Sequence, residues 1–429
     1  MKACPTQAIR MRKGKAILLA NRCIDCGECY IACPHRAIYV NHDDFDTIFK
    51  YDHRIALVPT VFINQFRENI STQTIYESIL DSGFTEVFEV ETMIDFLLEE
   101  TRQYIDQHSE NKPLISVFCP AIVRLIQVKF PALTENIVLL KTPMSLAAMY
   151  CRKKFEQQQI DQSKVGIFYI SPCAAKIAAT KTPVGQDITG VDGVINMDFM
   201  YNHVLRKIKE EHRVSSGYKQ ISKMSSIGSI YPSSGGEKIN MKGRCLAIDG
   251  IKNAVEFLEK VENDELSDVD YLEMRACDQS CTGGILVSGN RFLTTERIRN
   301  RTNKIRQQET EGIRKTFNIE PEIATYLQEH IALDAILPRS MMKLDEDRSV
   351  AMKKMTLINE LMQQLPGVDC GICGAPTCQA LAEDIAKVDA ALVDCVFWQT
   401  NLESNGNMTS KERVETFRKI WGKKASEKA

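Results

Sequence analysis

The 429-residue sequence has no long apolar run and no marked excess of charge. No stretch approaches the ~18 apolar residues that a membrane-spanning helix needs, and the opening MKACPTQAIR lacks the apolar segment of a signal peptide. The 54 basic and 56 acidic residues nearly balance, so the totals give no attraction to nucleic acid or to an anionic membrane. We therefore predict a cytoplasmic protein that neither inserts into membranes nor binds nucleic acid.

Cysteine, by contrast, is plentiful, and most of the 15 cysteines are clustered. In a cytoplasmic protein, CxxC spacings indicate metal ligation rather than disulfides. Cys151 and Cys245 fall outside the clusters. We expect both to be ordinary buried thiols.

The chain is long enough for several domains, because single hydrophobic cores stop growing near ~250 to 300 residues. Residues 1–43 read as short strands and turns around cysteines. From 50 to 335, apolar strand-like runs, among them NIVLLK at 136–141, alternate with helical stretches, which predicts an α/β domain with a largely parallel sheet. Residues 351–410 are predicted to form a small helical module and 411–429 a charged, solvated tail.

Two polar segments, 213–243 and 299–350, are interpreted as loops and exposed helix. The first contains YPSSGGEK, a Gly-Ser stretch that could bind a phosphate through its backbone. It lacks the GxxxxGK(S/T) order of a phosphate-binding P-loop. An ordinary Gly-Ser loop is therefore the favoured interpretation.

The first cysteine group has the spacing C-x2-C-x2-C-x3-C-P and comprises Cys23, Cys26, Cys29 and Cys33. This run is typical of a loop around a 4Fe-4S cluster, and its last cysteine ligates a second cluster. The segment resembles a bacterial two-cluster ferredoxin domain, which implies that Cys4 in ACPTQAI completes one cluster with the first three cysteines. The partners of Cys33 would then lie upstream of the first residue, so we expect an incomplete ferredoxin-like module. The alternative is that Cys33 is a spare thiol.

The last cysteine group has the spacing C-x2-C-x4-C-x16-C, which resembles a small 4Fe-4S domain appended to several anaerobic redox proteins. Its members are Cys370, Cys373, Cys378 and Cys395. Zinc is the alternative, since four thiolates also suit that metal. We favour an iron–sulfur cluster because the other groups indicate the same chemistry.

The middle cysteines are far apart in sequence. Cys119 and Cys173 each follow an apolar strand-like run and adjoin a proline, and Cys277 and Cys281 stand together in ACDQSCTGG. The carboxyl ends of parallel strands line one crevice, which is the usual ligand site of an open α/β sheet. We therefore expect these four thiols to converge.

At these cysteines the chain resembles the catalytic domain of [FeFe] hydrogenases, whose signatures are a Cys-Pro after a strand, a Pro-Cys-x-x-Lys, and a Cys-x3-Cys followed by glycines. All three occur in order, in FCPAI, SPCAAK and CDQSCTGG. The resemblance implies that Cys119, Cys173, Cys277 and Cys281 hold a 4Fe-4S cubane and that Cys281 also bridges to a two-iron subsite with carbonyl and cyanide ligands. Lys176 would share a helical face with Cys173 and could bind a cyanide; a surface lysine is the alternative.

The proton route of the active relatives is missing its polar members. Those enzymes place a cysteine before the Cys-Pro ligand as the last proton donor, whereas this chain has Phe118, whose ring has no exchangeable proton. The helical DFLLEETRQYI resembles the segment with two relay glutamates; Glu100 matches one, and Gln103 occupies the other position. Val138 stands where a relay serine is expected.

Arg275 replaces a methionine that is usual in the family. If residues 273, 275 and 277 share one face of a strand, Arg275 points toward the crevice of Cys277. A fixed positive charge there would raise the reduction potential of a cluster. The alternative is an ion pair with Glu273.

These observations lead us to predict an α/β iron–sulfur protein resembling a divergent [FeFe] hydrogenase of the sensory type. It would bind hydrogen, turn it over slowly, and pass electrons through about three 4Fe-4S clusters, or four if the N-terminus is longer. A ferredoxin, kinase or phosphatase would be its redox or signalling partner. Two alternatives remain: an electron-transfer or cluster-assembly protein with cubanes only, and a low-rate hydrogenase with another proton route.

Overall fold

The computed structural model describes residues 1–210, 223–314, 317–339 and 344–422. Its contacts divide the chain into two compact units. The first comprises 1–24, 31–35 and the part from 338 onward, and the second comprises 25–30 and 36–337. The sequence did not predict that the N-terminal and C-terminal segments would belong to one unit.

Parallel pairing dominates the strands of the second unit. The strands are β1 (Ile9–Arg12), β2 (Lys15–Leu18), β3 (His53–Val58), β4 (Glu86–Glu89), β5 (Leu114–Ile115), β6 (Val165–Ser171), β7 (Gly193–Asn196), β8 (Cys245–Asp249) and β9 (Tyr271–Arg275). One parallel sheet has the order β4-β3-β6-β7, a second has β5-β9-β8, and β1 and β2 form an antiparallel hairpin in the first unit. The predicted α/β class with parallel sheets is thus confirmed.

Helices follow or flank these strands. They are α1 (Glu28–Ala32), α2 (Thr60–Asn64), α3 (Thr72–Leu80), α4 (Ile94–Gln107), α5 (Pro120–Lys129), α6 (Pro143–Gln157), α7 (Ala174–Lys181), α8 (Met197–Glu210), α9 (Ser226–Ile230), α10 (Ile251–Glu262), α11 (Arg291–Thr310), α12 (Pro321–His330), α13 (Arg348–Gln364), α14 (Cys378–Ala386), α15 (Val396–Ser404) and α16 (Ser410–Trp421). No helix in the described ranges is long and apolar enough to cross a membrane.

The hydrophobic pattern explains why the strands pair in parallel. Every residue of β6, VGIFYIS, is buried, as is every residue of β7 and of β9. Strands buried on both faces are typical of parallel sheets that helices cover on each side. This burial holds the carboxyl ends of the strands in place, and the middle cysteines follow those ends.

Two sequence expectations about local structure were wrong. Residues 136–141 form no strand; Ile137 and Leu140 make only isolated bridges, to Ile115 and Ala332. The described part of segment 213–243 is largely buried rather than exposed, because its polar side chains find internal hydrogen bonds. Residues 213–222 of that segment lie outside the described ranges, as do 315–316 and 340–343 of segment 299–350 and 423–429 of the tail.

The two remaining thiols differ from each other. Cys151 is buried as expected, and burial raises its pKa to about 12. Cys245 is only half-buried, contrary to expectation, because it opens β8 at an edge of its sheet. Its thiol donates to the backbone oxygen of Lys242 at 3.3 Å.

The first unit is held together by buried charge pairs as well as by apolar contacts. The carboxylate of Asp384 in α14 accepts hydrogen bonds from Arg10 and Arg12 of β1, both at 2.6 Å. Arg22 pairs with Glu383 in the same way. These pairs join the N-terminal hairpin to the helix that begins at a predicted cluster ligand, Cys378.

Candidate metal centre

Cys119 and Cys173 occupy equivalent positions, each between a strand and a helix. Cys119 is the residue before α5, which starts with Pro120, and Cys173 is the residue before α7. Helix N-termini carry partial positive charge and therefore stabilise thiolates. The two cysteines follow strands of different sheets, β5 and β6, so the crevice is formed by both sheets rather than by one.

The Cys277–Cys281 turn needs its glycines. Gln279 and Ser280 adopt left-handed backbone conformations, with φ of 62° and 58°, and a tight helical turn spans Ser280–Gly283. A side chain at Gly283 would lie 1.9 Å from the backbone oxygen of Asp278. One at Gly284 would lie 2.5 Å from the backbone oxygen of Pro172. The glycines thus allow this turn to pack directly against the loop that carries Cys173.

The four middle cysteines lie close enough to influence one another electrostatically. Burial raises the pKa of the Cys277 thiol well above its usual value, and the nearby sulfurs of Cys173, Cys119 and Cys281 raise it further. Burial also raises the pKa of Cys173 to about 12, with added contributions from Cys281 and Cys119. Four thiols in mutual electrostatic reach are a ligand set that a metal group must deprotonate as it binds.

Four thiolates suit either a single zinc ion or an iron–sulfur cluster. Within the described ranges, no group of three or more His, Cys, Asp or Glu side chains is placed to hold one metal ion. A tetrahedral zinc site would gather four sulfurs at about 2.3 Å from one centre.

Lys176 points into this site and not away from the protein. Its ammonium lies 4.0 Å from the sulfur of Cys281 and 4.1 Å from the ring centre of Phe118. Burial alone would lower its pKa, but the neighbouring Cys281 and Tyr169 outweigh burial, so the pKa is raised. The ammonium of Lys176 therefore stands beside the predicted bridging cysteine.

Phe118 is packed between charged and aromatic groups. Its side chain is 4% exposed. Besides Lys176, the guanidinium of Arg275 lies over its ring at 4.2 Å, and Tyr231 meets it edge to face at 5.2 Å. The site thus presents an aromatic ring, held by two cations, where the active relatives present a thiol.

The main ion-pair partner of Arg275 is Glu237, and not Glu273 as the alternative interpretation proposed. Arg275 is 1% exposed and bonds to the carboxylate of Glu237 at 2.6 Å, whereas Glu273 is 3.9 Å away. Its guanidinium also donates to the hydroxyl of Ser116 at 3.2 Å. No periodic pattern in the sequence points to Glu237, which lies in the polar loop YPSSGGEK.

That loop binds an internal carboxylate instead of a phosphate. The carboxylate of Glu273 accepts backbone N–H bonds from Gly235, Glu237 and Lys238 at 2.9 to 3.0 Å. A side chain at Gly236 would collide with the backbone oxygen of Ile230 at 2.2 Å. The favoured interpretation as an ordinary Gly-Ser loop agrees with this geometry, because the amides that a phosphate would need are already engaged.

A second carboxylate that the sequence reasoning missed, Glu91, lines a cavity beside the site. Phe118, Lys176 and Tyr169 line the same cavity. Glu91 is 3% exposed, accepts the backbone N–H of Thr60 at 2.8 Å, and has its pKa raised to about 7 by burial, against smaller lowering effects of Thr60 and Lys176. Its position just after β4, at the carboxyl end of a parallel strand, is the signal that could have identified it.

The predicted relay residues are not brought together. Glu100 lies on the outer side of α4 and accepts a hydrogen bond from Gln328 at 2.9 Å, and Gln103 is exposed. Leu97 and Thr101 of the same helix, rather than Glu100, line a small cavity with Phe118 and Val138.

The C-terminal cysteines also converge, within the first unit. Cys373, Cys378 and Cys395 belong to its buried core. Burial raises the pKa of Cys373 to about 11, and Cys370, Cys395 and Cys378 add to that rise. Gly374, with φ of 79°, is required because a side chain there would lie 2.3 Å from the backbone oxygen of Met11.

Of the N-terminal cysteines, Cys4 and Cys23 belong to the first unit, and Cys26 and Cys29 belong to the second. The cluster that these four would hold stays a prediction, as does the role of Cys33. Within the second unit, Cys26 is near enough to contribute to the raised pKa of Cys277. One member of the N-terminal group therefore lies in electrostatic reach of the middle group.

Comparison with known families agrees with this geometry. Residues 53–242 match the C-terminal domain of the iron only hydrogenase large subunit, a range that includes Cys119 and Cys173. Residues 1–38 match a 4Fe-4S dicluster domain, and residues 365–397, which contain all four C-terminal cysteines, match a putative Fe-S cluster family. These matches support a divergent [FeFe]-hydrogenase-like protein. It is accordingly an iron–sulfur protein.

Individual relatives of this hydrogenase-like protein are distant. It is 22% identical over 234 residues to Iron hydrogenase 1 of Clostridium pasteurianum, covering 52% of this chain and only 38% of that protein. An uncharacterised protein of Methanocaldococcus jannaschii is 43% identical over 44 residues, 10% of this chain and 20% of that one. The structure of an [FeFe]-hydrogenase from Chlamydomonas reinhardtii superposes with a TM-score of 0.50 and 13% identity, covering 69% of this chain and 98% of that one. The last match establishes a shared fold.

Proposed function

We propose that this protein is a low-turnover hydrogen or redox sensor that passes electrons through 4Fe-4S clusters. The observation that carries the proposal is the environment of Phe118, the residue before Cys119. Its buried ring contacts Lys176, Arg275 and Tyr231, and the ring itself has no proton to give. A site of this kind can hold a metal group and sense a ligand while exchanging protons slowly.

The central cubane would be held by Cys119, Cys173, Cys277 and Cys281. Such a cluster supplies one-electron transfer when bound. The convergent thiols fit this group, since two of them stand at helix N-termini and none is tied up in a disulfide. Lys176 would stabilise the negative charge that accumulates around Cys281.

Slow turnover follows from the missing proton donor. General acid–base help is typically worth ~10²- to 10⁴-fold in rate, so the loss of the terminal donor should reduce hydrogen turnover by roughly that factor. Glu100 and Gln103 do not compensate, because they lie away from Phe118 on the outer face of their helix.

The deciding experiment is infrared spectroscopy of the chain, expressed with hydrogenase maturation factors and purified without oxygen. Carbonyl and cyanide bands, together with weak hydrogen evolution, would support the sensory function. Turnover as fast as that of active relatives would contradict it.

A second candidate is a protein with cubanes only, and Glu91 favours it. This buried carboxyl group lines the same cavity as Lys176, and it is near enough to the ammonium to help raise its pKa. A cyanide-bearing subsite would have to share that cation with Glu91. Iron-loaded protein that lacks carbonyl and cyanide bands after maturation would select this candidate.

The C-terminal module would extend the electron path to a redox or signalling partner. Its thiols resemble those of the central group, because burial and neighbouring sulfurs raise the pKa of Cys373 as they raise that of Cys277. Iron and zinc analysis of the full chain, compared with a Cys395→Ser variant, tests this assignment. Loss of iron in the variant supports a cubane, whereas loss of zinc would contradict it.

A further inference from the structure

Phe118, Arg275 and Val138, three residues that differ from the family pattern, lie close together in the structure. Arg275 stacks on the ring of Phe118. Phe118, Val138 and Glu237 line one small cavity, together with Tyr231 and Tyr271. Residues that are far apart in sequence therefore form one structural unit, which we call the Phe118 clamp: Phe118, Arg275, Glu237 and Ser116.

Glu237 is the centre of the Phe118 clamp. One of its carboxylate oxygens accepts from Arg275 at 2.6 Å and from Ser116 at 2.8 Å. The other accepts from the hydroxyls of Tyr231 at 2.9 Å and Tyr271 at 2.5 Å. Glu237 is 3% exposed, so these partners replace water around its charge. Its orientation is thus fully determined by the surrounding core.

The order of contacts leads from Glu237 to the metal site. Glu237 holds the guanidinium of Arg275, Arg275 lies against Phe118, and Phe118 lies against Lys176, which is 4.0 Å from Cys281. Arg275 also stands two residues before Cys277. A change of charge within the clamp is therefore felt at the cysteine ligands with little solvent screening.

We propose that Glu237 is a positioning residue that holds Arg275 against Phe118 and, by neutralising that guanidinium, sets the reduction potential of the central cluster. The inference rests on the proposed function only in assuming a cubane on the four middle cysteines. The proposal differs from an effect of Arg275 alone, because the Glu237 carboxylate and the Arg275 guanidinium carry opposite charges and partly cancel each other's effect on the cluster. We call these two side chains the opposed pair.

The opposed pair predicts shifts of opposite sign. Glu237→Gln leaves the Arg275 cation uncompensated, which stabilises the reduced cluster and raises its potential. Arg275→Met leaves the Glu237 carboxylate uncompensated, which lowers the potential. A purely structural role for the clamp would not give opposite signs, since both changes would loosen the same packing.

The test is an anaerobic redox titration of the iron-loaded full chain, followed by electron paramagnetic resonance. We expect Glu237→Gln to raise the midpoint potential of the central cluster and Arg275→Met to lower it. Each shift should correspond to at least a tenfold change in the oxidised-to-reduced ratio, which is about 59 mV for one electron. The matched control is Glu89→Gln, since Glu89 also forms a buried pair, with Arg301 at 2.8 Å, but lines neither cavity. The control should leave the central potential unchanged. Shifts of the same sign in both clamp variants would overturn the proposal.

A second measurement does not depend on the cluster. In the chain without iron, the unfolding free energies of Glu237→Gln, Arg275→Met and the double variant form a thermodynamic cycle. We expect the double variant to lose clearly less stability than the sum of the losses in the two single variants. Removal of either partner alone leaves the other as an unpaired buried charge. Additive losses would refute the positioning role. If coupling is found but the parent chain yields no central cluster signal, the proposed function fails and the positioning role of Glu237 toward Arg275 stands.

Discussion

Replacement of Phe118 by cysteine is the most direct challenge to the proposed function, because it restores the donor of the active relatives. From the family pattern alone, we expect hydrogen evolution to rise in steps when Phe118→Cys is combined with Gln103→Glu and Val138→Ser. The structure changes that expectation. Gln103 is exposed, so a glutamate there would not face the new thiol. Phe118→Cys alone also removes the ring on which Arg275 and Lys176 rest.

The cost in stability can be worked out from the contacts of the ring. A Phe to Ala change in a core costs about 3 to 5 kcal/mol, and the sulfur of cysteine refills part of the space. Desolvated cation–π contacts are worth up to about 2 kcal/mol each, and two are lost here. We therefore expect Phe118→Cys to lower the free energy of unfolding by about 3 to 5 kcal/mol, measured by chemical denaturation of the iron-free chain.

The informative partner change is Arg275→Met, which also restores the family residue. In the Phe118→Cys background, the guanidinium has lost its ring and crowds the new thiol, so we expect the double variant to evolve hydrogen faster than Phe118→Cys with Gln103→Glu. Both are assayed after maturation with an artificial electron donor. If Phe118→Cys alone is as stable as the parent, the packing argument is wrong. If that single change restores full turnover, the clamp is not what limits the rate.

Three further predictions concern other parts of the chain. Cys281→Ser should lose or damage the central cluster and reduce the yield of folded protein, while Cys151→Ser should be tolerated; iron content compares them, and equal effects would mean that the ligands are misassigned. Glu91→Gln should stabilise the iron-free chain above pH 7 by about 3 kcal/mol. Because the pKa of Glu91 is raised to about 7 in the folded chain, the stability that protonated Glu91 contributes below pH 4.5 is lost as the pH rises to about 7. Denaturation midpoints that keep the same pH dependence in the variant would contradict this. Asp384→Asn should cost about 3 to 5 kcal/mol, because it strands the buried guanidinium of Arg10; a loss below 1 kcal/mol in chemical denaturation would show that the pair contributes little.

The cysteine groups and the fold class could be predicted from the sequence because both are encoded locally. Cluster loops need cysteines with two to four residues between them, and buried parallel strands need continuous apolar runs. Each requirement therefore leaves a pattern within a short stretch of sequence. The three family signatures around Cys119, Cys173 and Cys281 are of this kind. The position of Lys176 was predictable for the same reason, since three residues on a helix bring side chains onto one face.

The polar surroundings of the site were decided only by the tertiary structure. Glu237 and Arg275 are 38 residues apart, and their contact depends on the loop after α9 folding onto β9. The sequence pointed to Glu273 as the partner of Arg275, because a strand places residues two apart on one face. In the structure, the Glu273 carboxylate instead accepts hydrogen bonds from backbone amides of that loop. Glu91 likewise reaches the cavity only because β4 pairs beside β3. Ligand spacing is a property of the chain, whereas the charges that tune a buried site come from whichever distant segments the core brings together.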